Sequence, residues 1–364
     1  MLDKAALSAA AVVVSPGRSD IAEFPIPEIP ADAGLLRVAA SGICGADINK
    51  YFDTKQGPRI LGHEIVGTIE KIGNGARARW GVEIGDLVAL EEYLPCGHCD
   101  YCRGGEMRSC LATDTRLPGA IRYGSTSIKI PPSLWGGYSQ FLYIHPRSVI
   151  HRVPEGVPPR IAAMCLPIGN GFEWVYFDGQ CGPGKTIVIQ GPGQQGLGCV
   201  IAAKISGAET IIVSGLARDA ARFDLARALG ADHVVAVDEQ DLGVEVARIT
   251  SGRMADIVID TSGVGPRNVN PSLYLLRKRG VMLIVSAGGP VKDFDHDRLI
   301  AYQISLKGLR GHSYQAVEMA LRTMARKTLP LERMSTHTLG LGDVDAAIRM
   351  VAGQSDERPI HISI

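Results

Sequence analysis

The sequence predicts an α/β fold: a β-rich, barrel-like domain into which a doubly wound parallel sheet is inserted. Three observations predict it. At 186–198 the chain reads T-I-V-I-Q-G-P-G-Q-Q-G-L-G, so β-prone residues run into Gly191, Gly193 and Gly196 and an Ala-rich segment at helical spacing follows. Beyond it, strand-like runs at 210–213, 233–237, 257–260 and 281–286 alternate with helical patterns at 219–229 and 243–249. Such alternation implies parallel strands joined by right-handed crossovers. Before it, short β-like runs at 11–14, 35–39, 65–72, 86–90 and 138–144 crowd together among glycines and prolines, with little helical periodicity.

In chain order, the β-rich part occupies 1–158 and carries a cysteine loop at 91–112. The texture changes near Pro158, where 160–177 and then 196–207 read as helices, and the parallel-sheet part runs over 159–305. The chain then returns to the first domain over 306–364, with amphipathic helices at 317–325 and 344–351 and a last strand at 360–364. No internal repeat, low-complexity tract or long linker interrupts this plan.

Composition excludes several classes. Lysine plus arginine equals aspartate plus glutamate, 38 against 38, which leaves no basic excess for nucleic acid or a membrane surface. No run approaches the ~18 apolar residues of a membrane span. The apolar segment 5–14 behind Lys4 imitates a signal peptide, but it lacks a cleavage site and runs into the turn Ser15-Pro16-Gly17, so it reads as a first strand. Eight cysteines, four of them within fifteen positions, point to metal ligation in a reducing cytoplasm rather than to disulfides.

The glycine motif has a mechanism when it follows a strand and opens a helix. Its first glycine makes the tight turn, the second admits a pyrophosphate, and the third lets helix pack on strand. The diphosphate then lies on the helix N-terminus. An ordinary glycine-rich turn is the plain alternative, and the flanking pattern favours a dinucleotide.

Cys96, Cys99, Cys102 and Cys110 give C-x-x-C-x-x-C-x7-C. Four thiolates this close can wrap one tetrahedral zinc, and a closed four-sulfur shell marks a structural site. An iron–sulfur cluster fits less well, because ferredoxin spacing ends in a Cys-Pro pair and Cys110 precedes Leu111. A second cluster, Cys44-Gly45-Ala46-Asp47 with Gly62-His63-Glu64, offers one thiolate, one imidazole and one carboxylate. That set can hold zinc while leaving a position open for water or substrate. Asp47 either accepts the second ring proton of His63 or caps a helix beginning nearby.

G-I-C-G-A-D, L-G-H-E-I-V-G, the cysteine loop, W-G-G-Y-S-Q-F and V-I-Q-G-P-G-Q-Q-G-L-G occur in this order along nearly the whole chain. In that combination the sequence resembles the zinc-containing medium-chain alcohol and polyol dehydrogenases. The resemblance implies a GroES-like catalytic domain interrupted by a Rossmann domain that binds NAD(P). It implies Cys44 and His63 as catalytic zinc ligands, Glu64 as a direct or exchanging one, Asp47 behind them, and the four cysteines around a structural zinc. Gly191, Gly193, Gln195 and Gly196 would meet the cofactor, as would the turns at Ser262 and Ala287 and the helical residue Asn170. Hydride would pass between NAD(P) and a small alcohol, polyol or carbonyl substrate, with zinc acting as a Lewis acid. A homodimer or homotetramer would be the working form, with 281–286 a candidate edge strand for pairing.

Three departures from the family pattern stand out. The third zinc ligand falls at Leu166, which cannot ligate; Cys165 is one residue off, and Glu64 with water is the alternative, or the site is weak or empty. Ala46 and Asn49 occupy the places of the usual proton relay, with Glu64, a water chain or Tyr51 as substitutes. At the end of the second Rossmann strand, Gly215 stands where NAD enzymes carry an acid that binds the ribose 2′-hydroxyl. Arg218 and Arg222 lie nearby, and this favours NADP unless Asp219 reaches back. A zinc-independent enone- or quinone-type reductase on the same fold, or a non-catalytic nucleotide-binding protein, are the competing readings.

Overall fold

The computed structural model describes residues 6–53 and 57–364. Lys4 and Ala5, where the leader-like segment begins, lie outside the described residues. Two compact units emerge, Met1–Leu166 with Leu321–Arg326 and Ser335–Ile364, and Pro167–Ala320 with Lys327–Met334. These divisions fall later in the chain than the expected 158 and 305. The helical turn Pro159–Ala162 packs on strands of the first unit, so it stays with that unit.

In the first unit, β1 (Leu7–Ser15), β2 (Arg18–Pro25), β3 (Gly34–Gly42), β4 (Arg59–Ile60), β5 (Glu64–Ile72), β6 (Leu87–Leu90), β7 (Phe141–Ile144) and β8 (Ile150–Arg152) follow one another. A small sheet has the order β2-β1-β4. In the larger one, β3, β5, β6 and β8 lie side by side with β7 on the free flank of β3. Register shifts between Leu35 and Leu36 and between Val38 and Ala40 bend the β3–β5 ladder, as bulges do at barrel rims. Leu36, Ile65, Ile69, Val88, Leu90, Trp135 and Leu142 fill one core.

The second unit is the parallel sheet. Its strands β9 (Thr186–Gln190), β10 (Thr210–Gly215), β11 (His233–Ala236), β12 (Ala255–Asp260), β13 (Leu276–Ile284) and β14 (Ser305–Gly308) lie in the order β11-β10-β9-β12-β13-β14, all pairs parallel. The chain winds outward from β9 to β11, then restarts on the other flank of β9 with β12. That reversal opens a crevice at the carboxyl ends of β9 and β12, where doubly wound sheets bind ligands. Every residue of β9 and β12 is buried, as central strands covered on both faces must be.

Two expectations change here. The stretch 281–286 is not a sheet edge: β14 pairs along β13 from Val281 to Ile284, and β14, all four residues exposed, takes the edge. Nor is 160–177 one helix. It resolves into the turn Pro159–Ala162, the helix Cys165–Gly171 and a π-helical turn Phe172–Asp178. Gly171 has no room for a side chain, since a Cβ there would strike the Gly198 carbonyl. The two helices therefore touch backbone to backbone.

After the inserted sheet the chain returns. β15 (Ser335–Thr338) and β16 (His361–Ser363) extend the larger sheet of the first unit, β16 pairing with β3. Between them the helix Val344–Val351 buries Val344, Ala347 and Ile348, the i, i+3, i+4 stripe of an amphipathic helix. These join Val12, Ile43, Tyr51, Ile60, Tyr138 and Ile362 in a second core.

Candidate active site

The end of β3 and the start of β5 build the first cluster. Gly42 pairs with Glu64 across the β3–β5 ladder, so the turn after β3 and the turn before β5 leave the same end of one sheet. Cys44 caps the helix Gly45–Tyr51 with extended backbone, and His63 precedes Glu64. The Cys44 sulfur, a His63 ring nitrogen and a Glu64 carboxylate oxygen all lie within 4.8 Å of one another. A soft thiolate, an imidazole and a carboxylate converging so closely are a donor set that suits zinc.

Asp47 performs both of the roles the sequence leaves open. It accepts the Cys44 backbone N–H at 3.0 Å, ties the helix start to the cysteine, and lies 3.1 Å from His63 Nδ1. The Tyr138 hydroxyl donates to its other oxygen at 3.2 Å. With Nδ1 donating to Asp47, Nε2 of His63 keeps its lone pair for a metal. Burial pushes the Cys44 thiol up, opposed by the His63 hydrogen bond and reinforced by Glu64. Burial also disfavours a charged His63, but Asp47 and Glu92 outweigh it and hold the imidazole well above the ordinary histidine range.

Several residues of this environment escape sequence reasoning. Glu92 is buried and accepts from Arg122 Nε at 2.9 Å, and Lys50 donates to the Gly124 carbonyl at 3.2 Å. Tyr138 and His361 also stand beside the cluster. Only Tyr138 had a signal, within W-G-G-Y-S-Q-F. Of the relay substitutes, Tyr51 is fully buried with its hydroxyl committed to the Gly17 carbonyl at 2.6 Å, so it does not serve. Ala46 and Asn49 are exposed. Cys165 is buried, and its thiol is pushed well up by burial and by the Glu91 and Glu64 carboxylates; it is not among the three converging groups.

The cysteine loop is compact. Sulfur–sulfur distances are 3.9 Å for Cys96–Cys102, 3.5 Å for Cys99–Cys102 and 3.8 Å for Cys99–Cys110. A tetrahedron with Zn–S bonds of ~2.3 Å has edges of about 3.8 Å, so the four sulfurs fit one zinc. Backbone N–H groups of His98 and Cys99 face the Cys96 sulfur and bring its pKa down to about 6, which favours the thiolate a metal needs.

The dinucleotide-type residues gather in the second unit at the carboxyl ends of its strands. Gly191 takes φ +96, and a Cβ on it would lie 2.6 Å from Ser262 Cα; a Cβ on Gly196 would strike the Gly191 carbonyl. A Cβ at Gly193, which caps the helix Gln194–Ile205, would meet nothing within 4 Å, so the helix start is open to a diphosphate. Ser262 follows β12, held by Asp260 through its N–H at 3.0 Å, and Ala287 follows β13. Asn170 donates to Gln195 at 3.1 Å and faces His312 Nδ1 at 2.8 Å.

At the end of β10, Gly215 is followed by Leu216, whose N–H goes to Asp219 at 3.0 Å. Asp219 also pairs with Arg222 at 3.2 Å. Asp219 thus caps its own turn, while Arg218 is exposed.

The comparisons agree with this architecture. Residues 30–155 match the alcohol dehydrogenase GroES-like domain and residues 196–326 the zinc-binding dehydrogenase domain. A probable alcohol dehydrogenase of Mycobacterium tuberculosis is 34% identical over 97% of this chain and 96% of its own. A D-arabitol-phosphate dehydrogenase of Enterococcus avium is 31% identical over 88% of both chains. Among solved structures, an alcohol dehydrogenase of Thermotoga maritima superposes with a TM-score of 0.86 at 24% identity, covering 98% of this chain and 99% of that one. A Sinorhizobium meliloti zinc-binding dehydrogenase bound to NADP gives 0.84 at 22% identity over 98% and 99%. The chain belongs to the zinc-containing medium-chain dehydrogenase superfamily. Within that class it is an NAD(P)-dependent oxidoreductase of the alcohol dehydrogenase type.

Proposed function

We propose that the protein is a zinc-dependent, NADP-preferring dehydrogenase or reductase of a small alcohol, polyol or carbonyl compound, working as a homodimer or homotetramer. The convergence of Cys44, His63 and Glu64 within 4.8 Å is the observation that carries the reading. Zinc held by these three would supply Lewis acidity to the substrate oxygen, and the nicotinamide would carry the hydride. Asp47 fixes the His63 tautomer and ring plane through the 3.1 Å contact, and Tyr138 braces Asp47 from behind. Cys96, Cys99, Cys102 and Cys110 hold a structural zinc apart from the chemistry.

In the second unit, Gly191, Gly193 and Gly196 receive the diphosphate, with Ser262 and Ala287 flanking it and Asn170 and Gln195 serving the nicotinamide end. Gly215 and Arg218 set coenzyme choice. A carboxylate at 215 would repel a 2′-phosphate; with glycine there, the Arg218 guanidinium is the group suited to receive it.

Leu166, buried in place of the expected third ligand, favours a second reading, a zinc-independent reductase on the same fold. Initial rates over a panel of alcohols, polyols, aldehydes and enones, with NADP(H) and NAD(H), before and after chelator treatment, separate the two. Chelator-sensitive alcohol oxidation or carbonyl reduction that prefers NADP(H) is the expected result. Enone reduction that survives chelation would overturn it.

A further inference from the structure

His361 belongs to the last strand of the chain, far in sequence from every motif. Through β16 it lies beside β3, where Ser363 pairs with Gly42 and the Ile43 N–H donates to the Ile362 carbonyl at 3.0 Å. On the opposite flank of β3, Gly42 pairs with Glu64. The two side chains meet over Gly42: a Cβ on that residue would strike Glu64 Oε2 and lie 2.6 Å from His361 Nε2. Only glycine at 42 leaves room for the pair.

The imidazole is 1% exposed, and neither ring nitrogen has a hydrogen-bond partner among the described residues. Nε2 stands 3.6 Å from Glu64 Oε2, beyond a hydrogen bond but facing that carboxylate. A buried polar ring left without a partner carries a desolvation cost, which contact with the carboxylate offsets. The carboxylate in turn has two calls on it. With Leu166 unable to ligate, Glu64 is the third protein donor beside Cys44 and His63, and ligating carboxylates are held by a partner behind them.

We propose that His361 is the positioning residue of Glu64, holding one carboxylate oxygen over Gly42 so that the other stays on the metal and makes good the ligand missing at Leu166. This rests on reading Cys44, His63 and Glu64 as a zinc site. Zinc retained per chain after graded chelator dialysis tests it, with the four-cysteine zinc as internal reference. His361→Ala should lose the Cys44-site zinc at about 10–100-fold lower chelator concentration than the wild type, while the four-cysteine zinc is retained as before. His361→Gln, whose amide N–H can face the carboxylate, should recover most of that retention. Gly42→Ala, which leaves His361 in place but fills the contact, should lose zinc as His361→Ala does.

Wild-type retention in a folded His361→Ala protein would overturn the proposal, as would equal loss at both sites. If His361→Ala does not fold, Gly42→Ala retaining zinc like the wild type would overturn it. Cys44→Ser separates the two levels: if it holds as much zinc as the wild type, the zinc-site reading itself fails. If Cys44→Ser loses that zinc and His361→Ala keeps it, only the role of His361 fails.

Discussion

In the proposed reading, Gly215 at the end of β10 and Arg218 just beyond it set coenzyme choice. Gly215 has no room for the acid that would select NAD: a Cβ there would lie 2.8 Å from Pro192 Cδ and 3.1 Å from Phe223 Cε1. Asp219, the nearest carboxylate in sequence, is spent on the Leu216 N–H and Arg222. Arg218 is exposed and is the cation proposed to receive a 2′-phosphate. A charge-assisted hydrogen bond of about 1.5–3 kcal/mol predicts that Arg218→Ala weakens NADPH binding by roughly 10–100-fold and leaves NADH binding nearly unchanged. Fluorescence titration of both coenzymes checks this; an equal loss for both would show that Arg218 acts on the fold of the turn instead.

At the scale of elements, the sheet of the second unit is pinned at the end opposite its glycine turn. Asp256, at the start of β12 and 3% exposed, accepts the Thr186 N–H at 2.9 Å and Arg277 Nε at 2.7 Å, with Arg253 at 3.3 Å. Burial alone would raise its pKa, but the Thr186 N–H, Arg277 and Arg253 together hold it below the usual carboxylate range. A depressed folded pKa contributes stability that is complete above the unfolded value near ~3.9 and is lost as pH falls through the folded one. Asp256→Asn should therefore destabilise by about 2 kcal/mol near neutrality, with the gap closing in acid. Denaturant unfolding at pH 7 and pH 3 measures it, and an undiminished gap at pH 3 would contradict the ion-pair account.

Elements also show where the sequence was legible. The glycine turn, the C-x-x-C spacing and the helix Val344–Val351 are local patterns, written within a dozen residues or so. β14 is not legible in the sequence because S-L-K-G is short, exposed and without alternation, so only its pairing with β13 makes it a strand. The break at 165–178 is hidden in the sequence because helical periodicity continues through it, whereas the close approach of Gly171 to Gly198 is a contact between distant stretches. His361 is hidden for the same reason, since its place beside Glu64 arises only when β16 closes on β3.

At the scale of the molecule, each unit has a core of its own, and the first depends on a C-terminal return of the chain, which supplies β15, β16 and the helix Val344–Val351. No helix among the described residues is long and apolar enough to cross a membrane. Both candidate metal clusters lie in that first unit, one built from four sulfurs and the other from Cys44, His63 and Glu64. Their donor sets differ as closed and open sites do. In the proposed reading the first would stabilise a loop with little regular structure, and the second would serve the chemistry.

Elemental analysis of the purified protein and its Cys44→Ser variant decides whether Cys44, His63 and Glu64 hold a second zinc beside the four-cysteine one. Two zincs per chain are expected in the wild type and one in the folded, inactive variant. One zinc per chain in a fully active wild type would contradict that expectation.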